Sequence, residues 1–195
     1  MDRREFLTAM AAVPALATLQ PRPIPDYRVV TDHKPVPGGL PGRYPGRVVT
    51  VHSPQCIDEV TEKVDVPSVR TMIARGMSTL TGDKDPRDSW ARFFDAQDFV
   101  GIKVNASGAP GAMSMPEVVA EITRNLITVG VKPASIVIHE RGAGQILLPK
   151  YDQFVPAGVR VESANTWLGL DPDVYVEVNF FGEDDTRSYL IRMVT

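Results

Sequence analysis

Three short clusters of polar residues in this chain could do chemistry. The first is Lys103, which stands between Ile102 and Val104 in an apolar run and is followed by Asn105 and Ser107. The second is His139-Glu140-Arg141, which closes another apolar run. The third is His52 with Ser53 and, a little further on, Cys56. A lysine inside an apolar strand needs a carboxylate partner or a depressed pKa once water is removed. Glu140 is the expected partner, so Lys103 and Glu140 form the candidate catalytic pair, an ammonium and a carboxylate able to exchange a proton with a bound molecule. Asn105, Ser107, Arg141 and His52 are the candidate ligand-binding residues, with the guanidinium fork of Arg141 suited to a carboxylate. A purely structural Lys–Glu pair, or a lysine whose stem lies on apolar surface while its head reaches water, would leave the same trace in sequence.

The elements that position these residues are read from residues 98–144. Residues 100–104 form a short apolar run of the kind found in parallel sheets. Residues 105–114 carry two glycines, a proline and two serines, which predicts a loop. Ser114 and Glu117 have the S-x-x-E spacing of a capping box, and Pro116 suits a first helical turn. Val118, Val119, Ile122, Leu126 and Val129 then share one helical face, with Glu117, Glu121, Arg124 and Thr128 opposite. Gly130 and Pro133 end that helix. Residues 135–139 are a second apolar run, completing a βαβ unit whose parallel strands end side by side at Lys103-Val104-Asn105 and His139-Glu140-Arg141. The loop leads into a helix N-terminus, where free amides and the helix dipole favour an anion. It lacks the Gly-Lys-Ser/Thr of a phosphate-binding P-loop and the G-x-G-x-x-G of a dinucleotide fold.

The rest of the chain extends the same architecture. Residues 47–52 (RVVTVH) predict a first strand from their β-branched content. That strand would bring His52 to the shared sheet edge, where ligands bind in open α/β sheets. Residues 67–80 predict a helix with Val69, Met72, Ile73, Met77 and Leu80 on one stripe. Gly76 lies on that stripe, where it permits close approach to the sheet. Residues 88–95 predict a short helical turn whose Trp90, Phe93 and Phe94 belong to the core. Gly142-Ala143-Gly144 reads as a flexible loop and residues 159–163 as a further strand. Residues 174–181 and 186–194 predict a hairpin, with Val176 opposite Ile191, Val178 opposite Tyr189 and Val174 opposite Met193 on one apolar face. The expected fold is α/β: a mostly parallel open sheet with flanking helices and a C-terminal antiparallel β-hairpin.

Composition narrows the function class. A net charge of −3 without a basic stripe gives no reason to expect nucleic acid. The single cysteine excludes an internal disulfide framework, and a cysteine-built iron–sulfur or zinc site from this chain alone. Cys56 lacks an evident triad for nucleophilic work. Glu183-Asp184-Asp185 is an acidic turn rather than a cation site. No metal is expected, and the sequence names no cofactor.

Residues 1–17 (MDRREFLTAMAAVPALA) resemble a twin-arginine export signal, with Arg3-Arg4, Phe6-Leu7 and the small-x-small Ala15-Leu16-Ala17 as its marks. Its apolar run is too short to span a bilayer, so no stable membrane span is expected after its removal. The expected partners are the twin-arginine export machinery and a small anionic ligand; the expected location is periplasmic or extracellular. Residues 18–46, dense in proline and glycine and holding a lone His33, read as a linker or surface arm without regular structure. Residues 47–195 read as one α/β domain.

At residues 75–82 (RGMSTLTG), 100–105 (VGIKVN), 115–141 (MPEVVAEITRNLITVGVKPASIVIHER) and 180–188 (FFGEDDTRS), the chain resembles the bacterial family catalogued as domain of unknown function 362. The resemblance implies an exported α/β protein with no assigned activity and no catalytic residues, so no residue role comes with it. Some relatives carry a ferredoxin-like iron–sulfur segment, for which this chain lacks the cysteines. Members continue past the point matching Thr195, and the last expected strand runs to Thr195 unclosed, so the expectation is an incomplete domain. Three readings follow: an anion-binding crevice protein, as enzyme or binder; a non-catalytic accessory module partnering an exported redox protein; and a truncated product without activity of its own.

Overall fold

The computed structural model describes residues 27–32, 42–164, 169–178 and 187–192. In chain order its elements are strand β1 (Tyr27–Val30), helices α1 (Val66–Thr81) and α2 (Pro86–Ala91), strand β2 (Val100–Lys103), helix α3 (Pro116–Thr128) and strand β3 (Ile136–Glu140). Helix α4 (Ala143–Leu147) and strands β4 (Arg160–Ser163), β5 (Leu170–Val178) and β6 (Arg187–Ile191) follow, with 3-10 turns at Pro133–Ser135 and Tyr151–Gln153. The chain is mixed α/β. One parallel sheet has the order β2-β3-β4, and a separate antiparallel sheet has the order β1-β5-β6. The signal-like residues 1–17, His33, the acidic turn 183–185 and Met193 lie outside the described residues.

The βαβ unit forms as its sequence dictates. Val100 pairs with Ile136 and Ile102 with Ile138, in parallel, and Ile138 continues to Val161 of β4. Alternation along the strands puts these apolar residues on one sheet face. There Val119 of α3 and Ile146 of α4 join Val104, Ile138 and Tyr151 in one core cluster. Trp90, Val100, Leu126, Val131 and Ile136 make the neighbouring one. All five residues of β3 are buried, as befits the central strand. Gly130 ends α3 at φ +107°, where a Cβ would press on Ala96 at 3.1 Å.

Helix α1 starts on an Asp65 cap, whose carboxylate accepts from the Ser68 amide, and stops at left-handed Gly82. It packs across α3, which alters the face expected to be solvated. Glu121 is buried rather than exposed, because Arg70 of α1 reaches its carboxylate at 3.4 Å and Arg124 approaches it at 3.6 Å.

Several expectations are corrected. Residues 47–52 form no strand; they run extended past α1, with Arg47 donating to the Leu80 carbonyl at 2.9 Å. The close approach at Gly76 is accordingly to Val51, not to a sheet. Residues 27–30, within the expected linker, are a strand, since β5 offers them a ladder from Val30–Tyr175 to Tyr27–Val178. Residues 143–147 are a short helix rather than a flexible loop. Ser114 does not cap α3: Met115 is the cap residue, without a side-chain bond, and the Ser114 hydroxyl serves the preceding loop. Phe93 is more than one-third exposed, against the Tyr44 ring, while Trp90 and Phe94 stack in the core. The hairpin is present, but Tyr175 faces Tyr189 and Val176 faces Ser188, a register three residues from the expected one. Pro172, which cannot donate to a ladder, lies within the irregularity between Leu170 and Tyr175.

Candidate functional site

The carboxyl ends of β2 and β3 converge on Glu140. Its Oε2 accepts from Lys103 Nζ at 3.0 Å and from the Ala106 amide at 3.2 Å. Its Oε1 accepts from the Arg141 amide at 2.7 Å. The same lysine donates to the Val104 carbonyl, so its side chain curls over the strand end. The two partners differ in exposure. The Glu140 side chain is 7% exposed and that of Lys103 is 56% exposed. The carboxylate is thus an internal anchor, while the ammonium can meet solvent or a ligand. Burial alone would raise the Glu140 pKa. The Arg141 amide, the Lys103 bond and the Ala106 amide together outweigh burial and hold it below the ordinary value of 4.5. Glu140 is therefore ionised at neutral pH.

The loop from β2 to α3 is closed on itself. The Asn105 amide donates to Ser114 Oγ at 3.0 Å and the Ser114 amide returns to the Asn105 carbonyl at 2.8 Å. Asn105 Oδ1 accepts from the Ser107 amide at 3.3 Å and the Ser107 hydroxyl at 2.8 Å. Ala112 donates to the Gly108 carbonyl at 2.8 Å, and a Cβ on Gly108 would stand 2.3 Å from the Ala112 oxygen. These bonds, with Ala106 on Glu140, engage most of the amides that the sequence offered as an anion cradle. Glu117 adds a negative charge to the first turn of α3. Affinity for an anion therefore falls to the side chains of Lys103 and Arg141. Arg141 is exposed, and its guanidinium has no ion-pair partner among the described residues.

Two further groups shape the site. Strand register places Lys103, His139 and Glu162 in one row across the sheet, with neighbouring strands about 4.8 Å apart. Burial, then the Lys103 charge, push the His139 pKa below its ordinary 6.5, and the Glu140 charge opposes them. Tyr151 is fully buried and donates to the Ser114 carbonyl at 2.7 Å, tying the loop to the core. Burial and the Glu140 charge both raise its pKa. Sequence reasoning passed over Tyr151, since a lone tyrosine in a polar stretch carries no periodic signal. Register alone marks Glu162.

Of the expected site residues, Lys103, Glu140, Asn105, Ser107 and Arg141 meet at this edge. His52 does not. With no strand at residues 47–52 it lies in a cleft beside α1, with Ser68, Thr71 and Arg75. Among the described residues no three His, Cys, Asp or Glu side chains converge to hold a metal, and no helix is long and apolar enough to cross a membrane. No protein-family model, no curated protein and no solved structure matches the chain.

Proposed function

We propose that the carboxyl edge of β2 and β3 binds a small anionic ligand carrying a carboxylate or phosphate, in an exported protein of the type resembling the domain-of-unknown-function 362 family. The observation that carries this reading is the asymmetry of the Lys103–Glu140 pair: a buried carboxylate, satisfied by three donors, holds a half-exposed ammonium in place. Arg141, on the next strand end, adds a second positive charge, so the exposed part of the site is cationic. In this reading Glu140 is a positioning residue, and Lys103 and Arg141 touch the ligand. Asn105 and Ser107 shape the rim. The family resemblance brings no chemistry of its own.

The test is thermal unfolding of the full chain with inorganic phosphate, and separately with malonate, against sodium chloride at equal ionic strength. A saturable rise in Tm above the chloride control is expected, lost in Lys103→Ala and in Arg141→Ala. An identical response in wild type and both variants would remove the site. A second reading, a non-catalytic module that contacts an exported redox protein, draws support from the β1-β5-β6 sheet, where none of residues 28–30, 170–177 and 188–191 is buried. Co-purification with a stoichiometric partner in place of any anion response would favour it.

A further inference from the structure

A different part of the molecule gathers sulfur. The loop before α1 is held shut: Asp58 Oδ1 accepts from the Val60 amide at 3.0 Å, the Thr61 amide at 2.7 Å and the Thr61 hydroxyl at 2.9 Å. Ile57 and Val64 bridge antiparallel, and the Asp65 amide donates to the Cys56 carbonyl at 2.9 Å. Asp65 is also the cap of α1. Cys56 is thereby fixed at the start of that helix. Met72 lies two turns along the same helix, and Met115 caps α3, which packs on α1. These three side chains line one cavity of about 300 Å³, whose walls are otherwise aliphatic, among them Ile57, Val69 and Val118. Cys56 is half-buried and is the chain's single cysteine, so no internal disulfide can consume it.

We propose that this cavity binds one Cu(I) ion through Cys56 Sγ and the thioether sulfurs of Met72 and Met115. Thiolate and thioether are the soft donors that select Cu(I) over harder cations. Binding converts the Cys56 thiol and Cu⁺ into a copper thiolate and a proton, which passes to solvent, with no change of oxidation state. The product is electrically neutral, which suits an apolar cavity. Zn²⁺ with the same three ligands would keep one uncompensated positive charge there, which an apolar cavity disfavours. The methionine side chains, unbranched and flexible, can swing their sulfurs onto the ion. The cavity lies beside α1, has neither Lys103 nor Glu140 in its lining, and its copper reading does not rest on the anion reading.

The experiment is anaerobic titration of the full chain with Cu(I) in competition with a chromophoric Cu(I) chelator. One equivalent should leave the chelator. Met72→Leu and Met115→Leu keep side-chain volume and should each weaken binding by at least the ~10-fold typical of a lost supporting ligand contact. Cys56→Ser should abolish it, and excess Zn²⁺ should not displace the copper. If Cys56→Ser fails to fold, copper-edge X-ray absorption of the wild type decides: three sulfurs are expected, and a single one overturns the proposal. Withdrawal of no copper overturns it too, as does wild-type affinity in the double leucine variant or ready displacement by Zn²⁺.

Discussion

The two sheets of this protein are built from similar strands and live in different surroundings. In β3 every residue is buried, because β2 and β4 pair with both its edges and the Ile136–Ile138 face is packed under α3 and α4. In the antiparallel sheet none of residues 28–30, 170–177 and 188–191 is buried, and Val29, Leu170 and Tyr189 are exposed. The central strand β5 has two ladder partners, as β3 does. Backbone pairing is therefore present in both sheets, and what differs is apolar area removed from water. At about 25 cal/mol per Å² that area governs how firmly each sheet is held.

The largest expected effect tests this directly. Ile138→Ala removes a fully buried side chain from the centre of the parallel sheet and should cost about 2–5 kcal/mol in chemical denaturation. Val176→Ala, on the central strand of the other sheet and only half-buried, should cost less than about 1 kcal/mol. Equal losses would show that the antiparallel sheet gains cover in solution, for instance from a partner.

A second effect separates the functional edge from the rest of the parallel sheet. Glu140→Ala leaves the buried Ala106 amide without its acceptor, a loss of about 1–3 kcal/mol, and frees the loop that carries Asn105 and Ser107. The ionisation of Glu140 adds a pH signature. Its folded pKa is depressed, so its contribution to stability is present above the unfolded value near 4.5 and is lost as pH falls through the folded value. His139 acts in the same direction at higher pH. Its folded pKa is also depressed, so the unfolded chain takes up the proton first and stability begins to fall below about pH 6.5. Denaturation midpoints measured from pH 8 to pH 3 should decline in two steps. His139→Gln should flatten the upper step and Glu140→Gln the lower. A single step that both substitutions remove would mean that the two groups titrate as one unit.

Legibility in the sequence followed the same divide. The unit from β2 to β3 could be read closely, because its strands are buried on sequence-local terms: apolar runs, a strongly amphipathic helix, and Gly130 to stop it. The Lys103–Glu140 contact followed from that topology alone. The hairpin register did not. Its strands alternate apolar and polar residues without a buried face to fix which side is which, and a slip of three residues costs little there. The observed register was set by the Tyr175–Tyr189 ring pair at 5.5 Å and by β1, which the proline-rich surroundings of residues 27–30 concealed. Residues 47–52 failed for the converse reason. Their β-branched composition describes fit to a pleated surface, and α1 supplied an apolar surface with no free ladder. Ser114 could have capped α3 by spacing, but the Asn105 amide claimed its hydroxyl.

The smallest expected effect compares one ion pair from each sheet. Arg28 and Glu177 are cross-strand partners in β1 and β5, joined by a side-chain ion pair with the arginine 69% exposed. The arginine keeps much of its hydration, the Glu177 side chain is 22% exposed, and holding the long arginine in one rotamer opposes the modest Coulomb gain. Arg28→Ala should cost about 0–1 kcal/mol. Most of that loss should vanish at 1 M salt, where the Debye length falls to about 3 Å. The Lys103–Glu140 pair has nearly the same exposure on its cationic side, yet its carboxylate is buried and shared with two backbone amides. Lys103→Ala should therefore keep most of its effect in 1 M salt. If both pairs fade equally with salt, Glu140 is reached by water far more than its packing implies, and the distinction between the two sheets would not extend to their charges.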